Sequence, residues 1–289
     1  MSCDDTFNPN APYKEKLVVF AVLTTRSDTQ YVRVHTTYPV TTNPLAISAD
    51  TFVPDAEVTI AQESTIYRFR DTTLQRMDTS RYRLPVRAFV AYNLRVEPLR
   101  RYLLTVSSPT RGSVTAQATS QSRGGVSVRT DFNGNFIVLV SLAPTNVRAW
   151  IVRMYLEYEI RPETTWLLQR VEVPRAIDTG TGERFYPRPL LRDISSISFA
   201  AASLSQITGE LRQRYRAGTL RLKRTLFVLT QMDDAYYAYY STANGFPDSG
   251  TLRLDEPDYT NIVGGLGVFA MSSETTVTGD TTGNPAAYH

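Results

Sequence analysis

The chain has 289 residues, 42% hydrophobic and 20% charged, which is enough apolar material for one large domain or two ordinary ones and excludes a disordered chain. With 31 basic against 28 acidic side chains the formal net charge is +3, and the acids are interspersed among the bases, which argues against a nucleic-acid-binding protein. A membrane-spanning helix needs about 20 apolar residues; the longest apolar run, Leu17 to Leu23, falls far short, and with no signal-peptide core in view a secreted chain would be represented here by its mature form.

Residues 1–12 read as a tether, because Asn8, Pro9, Asn10, Ala11 and Pro12 form turns and extended chain with no apolar period. The β signal then begins. Leu17–Leu23 is short, rich in branched residues and bounded by polar ones, as a buried strand is, and Tyr31–His35 alternates as a half-buried strand does. Ala56–Ile60 and Thr65–Phe69 form a pair, followed by Tyr102–Val106 and Val114–Ala118. The composition changes over 119–125 (Thr-Ser-Gln-Ser-Arg-Gly-Gly), the best candidate boundary between two β units. Asn133-Gly134 between apolar strands signals a hairpin. In Trp150–Ile160, Val152, Met154, Leu156, Tyr158 and Ile160 share one face, and Arg153, Tyr155, Glu157 and Glu159 share the other.

Two stretches read as helices. One covers 195–216 and is weakened in the middle by Gly209; the other covers 233–242, where Asp233 and Asp234 suit an N-cap and the helix dipole. Leu220–Leu229 between them reads as a strand. Residues 271–289, rich in Thr and Gly, read as a flexible tail. The expected fold is mainly β: an immunoglobulin/prealbumin-like β-sandwich over 13–120, then a second β-rich unit with two short helices over 121–270.

Chemistry-bearing motifs are sparse. The histidines are His35 and His289, and no Gly-x-Ser-x-Gly elbow accompanies them. One cysteine and two histidines do not build a typical zinc site, and no cofactor is expected. Thr179–Gly182 has glycines without the strand-to-helix setting of a phosphate loop. Asp131, Asn133 and Asn135 resemble a calcium loop, but the glycine comes too early and no closing Glu follows. Glu157 and Glu159 could form a carboxylate pair for hydrolysis, although Arg153 on the same face favours an exposed, charge-balanced strand. The run of basic residues from Arg212 to Arg224 reads as a solvated edge. Tyr236, Tyr237, Tyr239 and Tyr240 crowd the second helix and form a candidate binding surface, since tyrosine gives large contact area at low entropy cost.

Several segments together resemble a family of Bacteroidota outer-membrane lipoproteins catalogued as domain of unknown function 4249. They are Cys3-Asp4-Asp5, Lys16–Val19, Val53–Ile60, Arg101–Val106 leading to Thr115-Ala116, Asp234–Tyr240 and Asn261–Phe269, spread from Cys3 to about Ala270. The resemblance implies that Cys3 is the lipidated mature N-terminus, and that Asp4 and Asp5 act as a surface-export signal. It also implies an outer-membrane, outward-facing location and a partnership with a TonB-dependent receptor. The expected function is a non-catalytic binding or accessory protein in ligand capture or uptake. The rival readings are a structural subunit of a larger outer-membrane or extracellular assembly and a carboxylate-dependent hydrolase.

Overall fold

Leu17, Val19, Ala21 and Leu23 are buried on one side of a single strand, and the alternation that places them there recurs through most of the chain. The structure, a computed structural model, describes residues 14–37, 51–75, 85–143, 145–244 and 259–280. In chain order the strands are β1 (Leu17–Thr24), β2 (Gln30–Thr36), β3 (Glu57–Gln62), β4 (Thr65–Arg68), β5 (Arg70–Leu74), β6 (Val86–Ala91), β7 (Arg101–Ser108), β8 (Gly112–Thr119), β9 (Gly125–Thr130), β10 (Phe136–Ser141) and β11 (Ala149–Ile160). They continue with β12 (Leu167–Val173), β13 (Ala176–Ile177), β14 (Arg184–Phe185), β15 (Leu190–Leu191), β16 (Ser196–Phe199), β17 (Leu220–Met232) and β18 (Leu266–Asp280). The helices are α1 (Ala201–Arg214) and α2 (Asp234–Asn244).

The fold is mainly β, as expected, and its layers form a sandwich. One layer is a nine-stranded sheet in the order β12-β11-β17-β18-β1-β2-β6-β5, with β15 beside β11. The other layer consists of two smaller sheets, β4-β3-β7-β8 and β16-β10-β9. The first covers the β1–β2 end of the large sheet, packing Val58, Ile60, Tyr102, Leu104 and Val106 against Val19, Leu23, Val34, Phe269 and Met271. The second covers the β11–β17 end, where Phe136, Val138 and Phe199 meet Trp150, Val152, Met154 and Phe227, with Ile207 and Leu211 of α1 closing the side. Each such side chain contributes about 1.5–3 kcal/mol by leaving water. Trp150 is fully buried, and its indole N–H donates to the Ile194 carbonyl at 2.9 Å.

Both cores lie on the same face of the large sheet. Phe269 and Met271 of β18 serve the first, while Thr275 and Val277, in step with them along the strand, pair with Leu229 and Phe227 of the second. The connection from β8 to β9, residues 120–124, crosses between the two cores. Gln121 Nε2 donates to the Met271 carbonyl at 3.0 Å, the Ser122 carbonyl accepts from Gln231 Nε2 at 2.7 Å, and the Gly124 carbonyl accepts from Thr275 Oγ1 at 3.0 Å.

β1 and β18 run parallel, from Val18 beside Leu266 to Thr24 beside Ser272. The glycines at 265 and 267 permit that approach. A Cβ on Gly267 (φ 109°) would stand 2.0 Å from the Val19 carbonyl oxygen, and one on Gly265 would stand 2.7 Å from that of Leu17. No L side chain fits either place.

Three expectations need correction. The stretch read as helical from 195 is strand β16 up to Phe199, because Ile197 and Phe199 are needed by the core that β10 also lines; the helix starts at Ala201. Gly209, read as weakening the middle of that helix, does not interrupt α1, which continues to Arg214. Residues 271–280, read as flexible tail, form most of a central strand, because threonine and valine suit a pleated surface and β17 supplies a full row of partners. The remainder of that tail, 281–289, and the tether 1–12 lie outside the described residues.

Candidate functional site: the cavity at the start of α2

The large sheet's second face is covered in part by α2. Ala235, Tyr236 and Tyr239 pack on Phe20, Val22, Val268 and Ala270, and the rings of Phe20 and Tyr239 lie 5.5 Å apart. Tyr236 and Tyr239 therefore belong to a small core. Tyr237 and Tyr240, also half-buried, are outside that cluster. The Tyr236 phenol is pushed up by burial, with the Arg153 guanidinium opposing the shift. Beyond α2 the face continues as a polar platform. Arg153 stands 3.7 Å from Glu172, whose carboxyl is raised by burial against the lowering pull of Arg153, and Arg170 lies over the Tyr155 ring at 4.5 Å.

The start of α2 is fixed by Asp233, which is almost fully buried. Its Oδ1 accepts the Tyr236 N–H at 2.7 Å, the N-cap bond that the sequence suggested. Its Oδ2 accepts the Met271 N–H of β18 at 2.8 Å. Burial pushes this carboxyl up to about 6, although both backbone donors pull it down.

Asp233 lines an open cavity of about 410 Å³ where α2 meets the end of β8 and the segment leading into β18. Arg101, Gln117, Asn146, Asp234, Tyr259 and Asn261 complete its polar wall. The two Asp carboxylates hold the Tyr259 phenol up, after burial as the main cause. Asn261 is locked to Phe269, its Oδ1 accepting the N–H at 2.9 Å and its Nδ2 donating to the carbonyl at 2.7 Å. Arg101 bonds Gln117 Oε1 across the β7–β8 pair. Asn146 sits at φ 60° with no hydrogen bond to its side chain among the described residues. The wall thus offers planar amides, a carboxylate pair, a guanidinium and a phenol, suited to a small ligand with several hydroxyl or amino groups.

This wall was not legible in the sequence. Its residues come from five separated segments, touched by the helix reading over 233–242 and by the family segments at 101–106, 234–240 and 261–269.

The other singled-out residues have local work. Glu157 pairs with Arg224 at 2.6 Å and Glu159 with Lys223 at 3.5 Å, each across the β11–β17 ladder. Asp131 Oδ1 accepts the N–H groups of Asn133 and Asn135 in the hairpin turn, and its carboxyl is held low by the Asn135 side chain and these amides. Asn135 in turn caps α1, its Oδ1 accepting the Ala201 N–H at 3.1 Å. Thr179–Gly182 is the β13–β14 turn, organised by Asp178. His35 Nδ1 lies 3.0 Å from Thr51 Oγ1. Cys3, Asp4 and Asp5 lie outside the described residues. Among those residues no group of three or more His, Cys, Asp or Glu is placed to hold a metal ion.

No curated protein matches the chain by sequence. The family described as Domain of unknown function (DUF4249) does, over residues 4–278, which takes in both helices and every described strand up to the last two residues of β18. The chain belongs to that family.

Proposed function

We propose that this protein is a surface-exposed outer-membrane lipoprotein, anchored through Cys3, which binds a small polar ligand without catalysis and acts beside a TonB-dependent receptor in capture or uptake. The observation that carries the binding part is the polar cavity at the start of α2. Its volume suits a ligand of modest size, and Arg101 and Gln117 of the paired strands β7 and β8, Asp234 of α2 and the loop residues Asn146 and Tyr259 face it with polar groups from several directions. The anchor and the receptor partnership rest on the resemblance and on Cys3-Asp4-Asp5.

The test is expression of the full precursor in its native host with a C-terminal tag, extraction in mild detergent and identification of stoichiometric companions by mass spectrometry. A Cys3→Ala version runs in parallel. Recovery of a TonB-dependent receptor that disappears with Cys3→Ala supports the reading. A partner-free protein, equally soluble with and without Cys3, overturns it.

A further inference from the structure

The end of the large sheet remote from β1's first residue carries a feature that the cavity does not use. β11 ends at Ile160, paired on one side with Leu167 of β12 and on the other with Leu220 of β17. The β11–β12 hairpin, the last turn of α1 and the α1–β17 connection therefore meet at one tip. Arg161 and Arg221 lie over the Trp166 ring, at 5.2 and 4.0 Å from its centroid. The Arg161 N–H bonds the Thr219 carbonyl, Thr219 bonds the Arg216 carbonyl, and Arg214 is close enough to act on the Tyr158 phenol. Arg212 completes the last turn of α1.

These five arginines are exposed, and none forms an ion pair with a carboxylate among the described residues. The neighbouring bases do pair, Lys223 with Glu159 and Arg224 with Glu157, so the charge excess is confined to the tip. Glu163 is the carboxylate in the same hairpin. Beside the arginines, Leu167 and Leu168 are 45% and 58% exposed on the edge strand β12. Their alternation sends one to each face of the sheet, so the edge is apolar from both sides.

We infer that this tip docks on a lipid surface bearing anionic headgroups, with Trp166, Leu167 and Leu168 entering the interfacial zone and the arginines contacting phosphates. A soluble anionic polymer would be met by the arginines, but it would leave the exposed Leu167 and Leu168, beside the half-buried Trp166, without a role. An aromatic–aliphatic run ringed by arginine is what the boundary between headgroups and acyl chains takes up. The inference is independent of the Cys3 anchor.

The experiment uses the Cys3→Ala chain, so that no acyl group contributes. It is floated with vesicles of phosphatidylcholine alone or with one-third phosphatidylglycerol, at low and high salt. The protein has two tryptophans, and Trp150 is fully buried, so a change in emission reports Trp166. Co-flotation with the anionic vesicles, a blue shift and quenching by brominated acyl chains are expected. Partitioning should weaken about fivefold for each of Arg161→Gln, Arg214→Gln and Arg221→Gln. The exposed Leu168→Ser change should weaken it without altering the fold, as judged by circular dichroism. No flotation, flotation that ignores these changes, or binding to heparin with no vesicle binding overturns the inference.

Discussion

The Asp233 carboxylate accepts the Met271 N–H at 2.8 Å while its other oxygen caps α2, so one buried side chain ties the helix to the sheet's central strand at the edge of the cavity. Replacing it by alanine leaves the Tyr236 and Met271 amides without their acceptor, at a cost of about 2–4 kcal/mol. Urea denaturation of Asp233→Ala checks this; a change under about 1 kcal/mol would remove the carboxylate from its tying role.

Asp233 also sets a pH dependence. Its carboxyl is pushed up to about 6 in the fold from an ordinary value of 3.8, so ionisation burdens the folded state more than the unfolded one. The associated stability is fully present below about pH 4 and is lost as pH rises through about 6, amounting to roughly 3 kcal/mol. Unfolding free energies at pH 4, 5, 6 and 7 should show this fall in the native chain and lose it in Asp233→Asn. Parallel curves for the two proteins would refute it.

Gly267 faces the Val19 carbonyl with no room for a Cβ, and its φ of 109° is itself unfavourable for other residues. Gly267→Ala should destabilise the fold by about 3 kcal/mol or more, since β1 and β18 must separate to admit the methyl group. Gly112, at φ 81° with open space around it, is the control. Its alanine variant should cost about 1 kcal/mol, visible as a much smaller shift in thermal midpoint.

The tyrosines of α2 should divide. Tyr239→Ala removes the ring against Phe20 and should cost about 2–4 kcal/mol. Tyr237→Ala, outside the packed cluster, should cost about 1 kcal/mol or less. Equal losses at both positions in chemical denaturation would contradict the division.

Glu157→Gln should change stability by about 1 kcal/mol, because the Arg224 side chain is 52% exposed even though that of Glu157 is 13% exposed. A double-mutant cycle with Arg224→Gln measures the coupling, and a value several times larger would mean that the pair is shielded from solvent.

The sequence disclosed the strands whose two faces differ. β1, β2 and β7 alternate in burial, and β11 does so from Val152 onward, so that Val152–Ile160 could be read residue by residue. β18 did not, because Ser272 and Ser273 are both buried and the strand is covered on both sides over part of its length, which erases the apolar period. Phe199 misled for a related reason: it falls in the stretch from 195 that reads as a helix, but a strand pairing with Phe136 claims it. Asp233 was legible as a cap, whereas its bond to Met271 joins residues far apart in the chain. The cavity shared this obstacle, since no local pattern brings Asn146, Asp234 and Tyr259 together.

The parallel pairing of β1 with β18 places the first and last of the described strands side by side in the middle of the widest sheet. Every strand between them can be made before that sheet can be completed. During synthesis the sheet therefore stays open until β18 emerges, and its two halves join only then. Trimming the C-terminus back past Leu266 would remove a centre strand rather than an edge, leaving β1 and β17 with unpaired backbone where β18 had joined them.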